Sequence, residues 1–219
     1  MADKPILFSG PMVRALLREI ATPGEGKTQT RRALNPQPNL LNGRKPLNNG
    51  LGAYSTDTGW KRFRYSVGDR LYVREAWRAE REYDGYSPAK SHNGKPVLPI
   101  NCPITYDADV IPEFGKNRQA MHMPRWASRI TLEVTGVKVE RLQECSEADA
   151  YAEGIAKIGR FYGVPEAEWD SATTRSAVDA YANLWDDING PGAWDKNPWV
   201  AAYTFRPILG NIDQIERAA

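Results

Sequence analysis

Histidine and cysteine are scarce in this chain, with two of each among 219 residues. Cys102 and Cys145 form no CxxC pair, and His92 and His122 stand apart, so neither a metal constellation nor a disulfide framework is expected. No apolar run is long enough to cross a membrane, and no charged, apolar, small-residue leader of the secretory type is seen. The expectation is therefore a cytoplasmic protein with no metal, no cofactor and no membrane partner. Internal repeats and repeated βαβ units are also missing, which argues against a doubly wound sheet.

The composition that remains is ordinary for a globular chain: 41% hydrophobic and 26% charged residues. The length fits a single domain spanning 1–219, with irregular insertions near 35–59 and 79–120. A net charge of +2 conceals an asymmetry. Residues 1–78 hold 14 Lys+Arg against 6 Asp+Glu, and the rest hold 15 against 21. The first third should contribute a positive surface useful for a phosphate-bearing partner, and it fits a nucleoside, a nucleotide or a short RNA at least as well as a duplex; the expected partners are a nucleoside or modified-base small molecule, or single-stranded RNA.

Pattern reading gives a mixture of helices and strands. Ser9 followed by Pro11, with Val13, Leu16, Leu17 and Ile20 at helical spacing, predicts an amphipathic helix. Residues 35–59 are rich in Asn, Pro and Gly and predict a long loop, a potential lid. A turn at Val67-Gly68-Asp69 leads into a strand over 71–77, with Leu71, Val73, Glu75 and Trp77 on one face; Glu75 is expected at an edge with its acid reaching solvent. Residues 79–120 read mostly as loop, with one strand near Ile104 to Tyr106. Ile130 to Leu142 predicts a bent strand or strand pair. Ser146 to Asp149 reads as a capping box for a short helix ending near Gly154. Val178, Tyr181, Trp185 and Ile188 mark a longer helix stopped at Gly190, and Trp199 to Phe205 closes as a strand. This mixture points to an α+β, barrel-like fold.

The run Gly26-Lys27-Thr28-Gln29-Thr30-Arg31-Arg32 places an amine, two hydroxyls and two guanidiniums within seven residues. On a helical turn Lys27 and Thr30 would share a face, and arginines beside a lysine favour its neutral form. A basic surface loop accounts equally well for the run in isolation. So do a capping hydroxyl for Thr30, a surface ion pair for Arg32 and a solvated helix end for Glu153.

The run resembles the GxKxxTxR signature of the ASCH domains, small β-barrels related to the PUA fold. Lys27, Thr30 and Arg32 stand on the signature's Lys, Thr and Arg, while its first glycine falls at Glu25. The order of helix, signature loop, Val67-Gly68-Asp69 turn, central strands, acidic helix and closing strand is similar to that layout over most of the chain. The segments 121–126, 189–194 and 197–199 resemble a phage- and prophage-borne branch, often labelled morphogenetic proteins. The resemblance implies a PUA-like β-barrel with flanking helices and long loop insertions, and two classes of activity. One is metal-independent amidohydrolysis of N4-acylated cytosine nucleosides such as N4-acetylcytidine; the other is RNA or modified-base binding without turnover. It also implies roles: Lys27 as proton acceptor, Thr30 as nucleophile, Glu153 as proton donor, and Arg32 as a substrate or structural partner. Around these, Glu75, Trp77, His122, Arg125 and Trp126 are candidate substrate-binding residues, with Trp77, Trp126, Trp194 and Trp199 available to stack on a base.

Overall fold

The computed structural model describes residues 3–38, 53–88, 96–100, 102–109, 114–165, 167 and 172–216. In chain order these form β1 (Asp3–Leu7), α1 (Gly10–Ala21), β2 (Gln29–Ala33), β3 (Ala53–Thr56), β4 (Gly59–Arg62), β5 (Arg70–Arg74), β6 (Trp77–Ala79) and β7 (Ile104–Tyr106). They continue with β8 (Ile130–Arg141), α2 (Glu147–Ala152), β9 (Ala156–Ile158), β10 (Phe161–Gly163), α3 (Ala177–Asn189) and β11 (Trp199–Leu209). The mixed α+β character holds. Most of the expected lid, 39–52, lies outside the described residues, as do 89–95 and 110–113 of the second expected loop.

A five-stranded sheet in the order β1-β5-β8-β11-β2 organises the molecule. β1 runs parallel to β5, and the other pairings are antiparallel. β8 and β11 are its longest strands, at 12 and 11 residues. Their register shifts where Thr204 and Phe205 face Gly136 and Val134, leaving Thr135 as the extra residue. Such a bulge bends and twists a ladder. The two edges, β1 and β2, are joined by a side chain rather than by strand pairing: Arg32 Nη2 donates to the Leu7 carbonyl at 2.8 Å. The sheet is thus not a closed barrel among the described residues, and the expected PUA-like barrel is not confirmed.

α1 begins after Ser9 in extended conformation, with proline in its first turn, and buries Met12, Val13, Ala15 and Leu16 against the sheet beside β11. Each large apolar side chain so buried contributes about 1.5–3 kcal/mol. α2 carries the expected capping box, with Ser146 Oγ accepting from the Asp149 amide and the Asp149 carboxylate accepting from the Ser146 amide. α3 buries Tyr181, Leu184 and Trp185 and stops at Gly190, whose φ of 96° favours glycine. Among the described residues no helix is long and apolar enough to cross a membrane.

Several expectations are corrected. β1 was not foreseen, because Lys4 and Pro5 hide a five-residue strand whose ladder comes from distant β5. β3 and β4 form a hairpin partly inside the expected 35–59 loop. The expected strand over 71–77 is two strands: β5 stays in the large sheet, while β6 leaves it after Glu75 and Ala76 to pair with β7. Trp77 and Ala79 then seed a second hydrophobic cluster with Leu98, Cys102, Met123 and Ala127.

Candidate functional site

Close packing at one glycine pair builds the site. A Cβ at Gly26 would lie 2.2 Å from the Glu19 amide nitrogen and 2.4 Å from the Ala15 carbonyl oxygen, so only glycine fits against α1 there. The Glu19 carboxylate accepts from the amides of Gly24 and Gly26, and the Lys27 amide donates to the Ala15 carbonyl at 3.0 Å. From the other side comes Gly154, at φ 103°, with a Cβ position 3.2 Å from Ala15 Cβ and 3.5 Å from Lys27 Cβ. Arg18 ties this glycine to α1 through its carbonyl at 3.2 Å. The junction of Ala15, Lys27 and Gly154 delivers Glu153, the C-cap of α2, to the lysine.

Lys27 Nζ donates to Glu153 Oε2 at 2.7 Å and to the Glu153 main-chain oxygen at 2.6 Å, with both side chains nearly inaccessible at 2% and 3% exposure. Arg31 is the hub beneath them. Its Nη1 donates to Glu153 Oε1 at 3.1 Å and Gln29 Oε1 at 2.6 Å, its Nε and Nη2 reach Glu140 Oε1 at 3.0 and 2.8 Å, and Nη2 stands 3.1 Å from Asp149 Oδ1. Lys138 caps Glu140 from the surface at 2.5 Å. Each buried carboxylate therefore has a cation, the condition under which buried charge is tolerated.

A cavity of about 330 Å³ opens onto this network, lined by Lys27, Thr30, Arg31, Arg32 and Glu153 and walled by Phe8, Met12, Tyr181, Leu184 and Trp185. A few polar groups in an apolar pocket of this size is the usual form of a small-molecule site. Thr30 is buried in β2, opposite Tyr203 of β11. Lys27 and Thr30 both line this cavity, from an extended segment rather than the helical turn that their spacing suggested. Residues 29–33 take their hydrogen bonds from β11, which overrides local spacing. Arg32 lies across the Phe8 ring, 5.3 Å from its centroid.

Burial lowers the pKa of Lys27 from its usual 10.5; Glu153 opposes that shift, and the charges of Arg32 and Arg31 add to it. For Arg31, burial works against the charge, but Glu153, Glu140 and other neighbours raise its pKa further. Asp149 is also disfavoured by burial, yet Ser146 hydrogen bonds and Arg31 bring its carboxyl down to about 2. Burial pushes the Cys145 thiol up to about 12, which leaves it inert beside the site.

The structure thus brings Lys27, Thr30, Arg32 and Glu153 to one cavity and sends the other candidates elsewhere. Glu75 does not reach solvent: β5 is an interior strand, and the carboxylate is buried in a bidentate pair with Arg129 at 2.9 and 3.0 Å. Trp77 is fully buried in the second cluster, and Trp126 packs against it. Arg125 is held by Asp213 and Asp3 and stacks on Tyr72. His122 is exposed on the short 3-10 turn Ala120–His122, of which only Ala120 reaches the cavity. Trp199 is core and Trp194 is half-buried, whereas Trp60 on β4 is 60% exposed. Sequence reasoning passed over Arg31 and Glu140. Their signal was strand alternation, which puts Gln29 and Arg31 on the face of β2 opposite to Thr30 and Arg32. Among the described residues no cluster of His, Cys, Asp and Glu is placed to hold a metal ion.

Comparison with family models, curated proteins and solved structures finds no match for this chain.

Proposed function

We propose that this chain is an ASCH-type, metal-independent amidohydrolase acting on N4-acylated cytosine nucleosides. The observation that carries the reading is the buried Lys27–Glu153 contact at 2.7 Å on the wall of a cavity that Thr30 also lines. Amide hydrolysis requires a nucleophile, a base that activates it and an acid for the leaving nitrogen. A neutral Lys27 amine has two N–H donors, and both are satisfied by Glu153, one at Oε2 and one at the main-chain oxygen. Its lone pair is then left for the proton of an attacking hydroxyl. Arg31 already balances the Glu153 carboxylate, so Lys27 need not stay charged to do so. In the proposed sequence Thr30 Oγ1 attacks the acyl carbon as its proton passes to Lys27. Lys27 passes that proton, by way of the Glu153 carboxylate, to the departing cytosine nitrogen as the C–N bond breaks. Water, giving a proton to Lys27, then attacks the acyl-Thr30 ester, and the proton returns to Thr30 Oγ1 as the acyl group leaves as its acid.

Binding without turnover, of RNA or a modified base, is the second reading. It is favoured by the same Glu153, because a carboxylate held by both Lys27 and Arg31 also makes a static, charge-balanced pocket floor. Incubation of the full chain with N4-acetylcytidine in the presence of chelator separates the two. The enzyme releases acetate and cytidine, and loses this activity in Lys27→Ala, Thr30→Ala and Glu153→Ala. No turnover across several acyl groups, or full activity in all three variants, sinks the amidohydrolase.

A further inference from the structure

Arg32 borders a second cavity of about 470 Å³, whose wall it shares with Arg62 and Arg64 and with the rings of Tyr54, Tyr65 and Tyr203. The two cavities have Leu7, Arg32, Ala33 and Asn189 in common, so they adjoin along the gap between the sheet edges. Their charge chemistry differs. The first holds Glu153 among its cations, whereas among the described residues no carboxylate lines the second.

Six arginines pair with an acid, namely Arg31, Arg70, Arg78, Arg125, Arg129 and Arg206. Among the described residues, Arg32, Arg62 and Arg64 make no ion pair with a carboxylate. Arg32 spends one donor on the Leu7 carbonyl, and a guanidinium has five. Arg64 lies over the Tyr65 ring, 5.5 Å from its centroid. Arg62 and Arg64 are exposed and Arg32 is half-buried, so all three guanidiniums can turn toward an anion on this concave wall, and their planar forks match phosphate oxygens. We infer that the second cavity binds the 5′-phosphate of the substrate, which is therefore a nucleotide rather than a free nucleoside. Arg32 bridges the ribose region, and the base occupies the first cavity. The position of the base rests on the amidohydrolase reading; the phosphate site does not.

Calorimetric titration of the full chain with cytidine 5′-monophosphate and with cytidine tests the phosphate site without turnover. The nucleotide should bind at least about tenfold more tightly, with a salt-dependent advantage. The double variant Arg62→Gln/Arg64→Gln should lose that advantage while keeping cytidine affinity and the wild-type unfolding transition. Equal or undetectable binding of the two ligands, or an advantage that survives in the double variant, overturns the inference. An unphosphorylated cytidine tetranucleotide that outbinds the monophosphate through the same two arginines overturns it in favour of an RNA strand. Turnover keeps the two readings apart. If neither N4-acetylcytidine nor its 5′-phosphate is hydrolysed but the arginine-dependent preference persists, the activity falls and the phosphate site stands. If N4-acetylcytidine is hydrolysed with no gain in kcat/KM from the 5′-phosphate, the activity stands and the site falls.

Discussion

Two glutamates in this molecule are equally buried and each is paired with an arginine, yet their surroundings differ in kind. Glu75 follows β5 directly, in a bidentate pair with Arg129, which also holds Asp109 at 2.7 Å and is covered by the Tyr106 ring 3.9 Å from its centroid. Its carboxylate is buried, while Arg129 and Asp109 reach toward solvent. Glu153 has two cations, Lys27 and Arg31, and one side of the group faces a cavity. Burial and an ion pair are therefore common to both and mark neither as a site. What separates them is the second cation, Lys27, beside open volume.

That contrast is most exposed to test in the hub. Arg31→Met leaves Glu140 and Glu153 buried without their shared cation, and should cost about 3–5 kcal/mol, the range for orphaning a buried charge. Arg129→Met should cost less, because it leaves one buried carboxylate, Glu75, without its arginine rather than two, while Asp109 is partly exposed and can be hydrated. Urea unfolding of the two variants gives the ranking, and a larger loss at Arg129 would reverse it.

Activity should separate the two acids next. Glu153→Ala, Lys27→Ala and Thr30→Ala should each lower turnover of an N4-acylated cytidine by about a hundredfold or more, the scale of a lost general acid or base. Thr30→Ser should retain part of the rate because a hydroxyl remains. Glu75→Gln should lower stability but leave the rate of the folded protein within about threefold. A loss at Glu75 as deep as that at Glu153 would erase the distinction.

The pH profile sharpens it further. The base form of Lys27 is the neutral amine, and burial lowers its pKa below 10.5, so the rate should climb with rising pH through that lowered value and then level off. Arg32→Gln removes a cation that favours the neutral amine, and should move the rising limb to higher pH. A profile flat over the alkaline range in both proteins would exclude Lys27 as the base.

A smaller effect is expected in acid. Asp149 has its carboxyl lowered from 3.8 to about 2, so its stabilising contribution is complete above the unfolded value of 3.8 and disappears as the pH falls through about 2. Asp149→Asn should flatten that acid limb of the unfolding curve. Least of all, Trp60→Ala should change stability by no more than about 0.5 kcal/mol, since the ring is mostly exposed. A larger change would show that the ring packs on something.

The local elements were legible where sequence carries its own geometry. Proline after Ser9, the Ser146–Asp149 box and the Gly190 stop each act within one turn of chain, so α1, α2 and α3 could be read from spacing alone. Alternation likewise marked β8 and β11. β1 and the β5–β6 break were hidden because their hydrogen-bond partners lie dozens of residues away, and a short strand is defined by what pairs with it. The residue types at the site, Lys27, Thr30, Arg32 and Glu153, were likewise visible in the sequence. Arg31 looked no different from Arg32. Only the tertiary structure decided between them, because β11 fixes the alternation of β2 and so sends one guanidinium down to three carboxylates and leaves the next at the gap between the sheet edges. The sequence by itself determined which charged groups exist and which helices carry them. Which of those charges are buried, balanced or left facing a cavity was decided by the long-range pairing of strands, since desolvation depends on everything packed around a group and not on its neighbours in the chain.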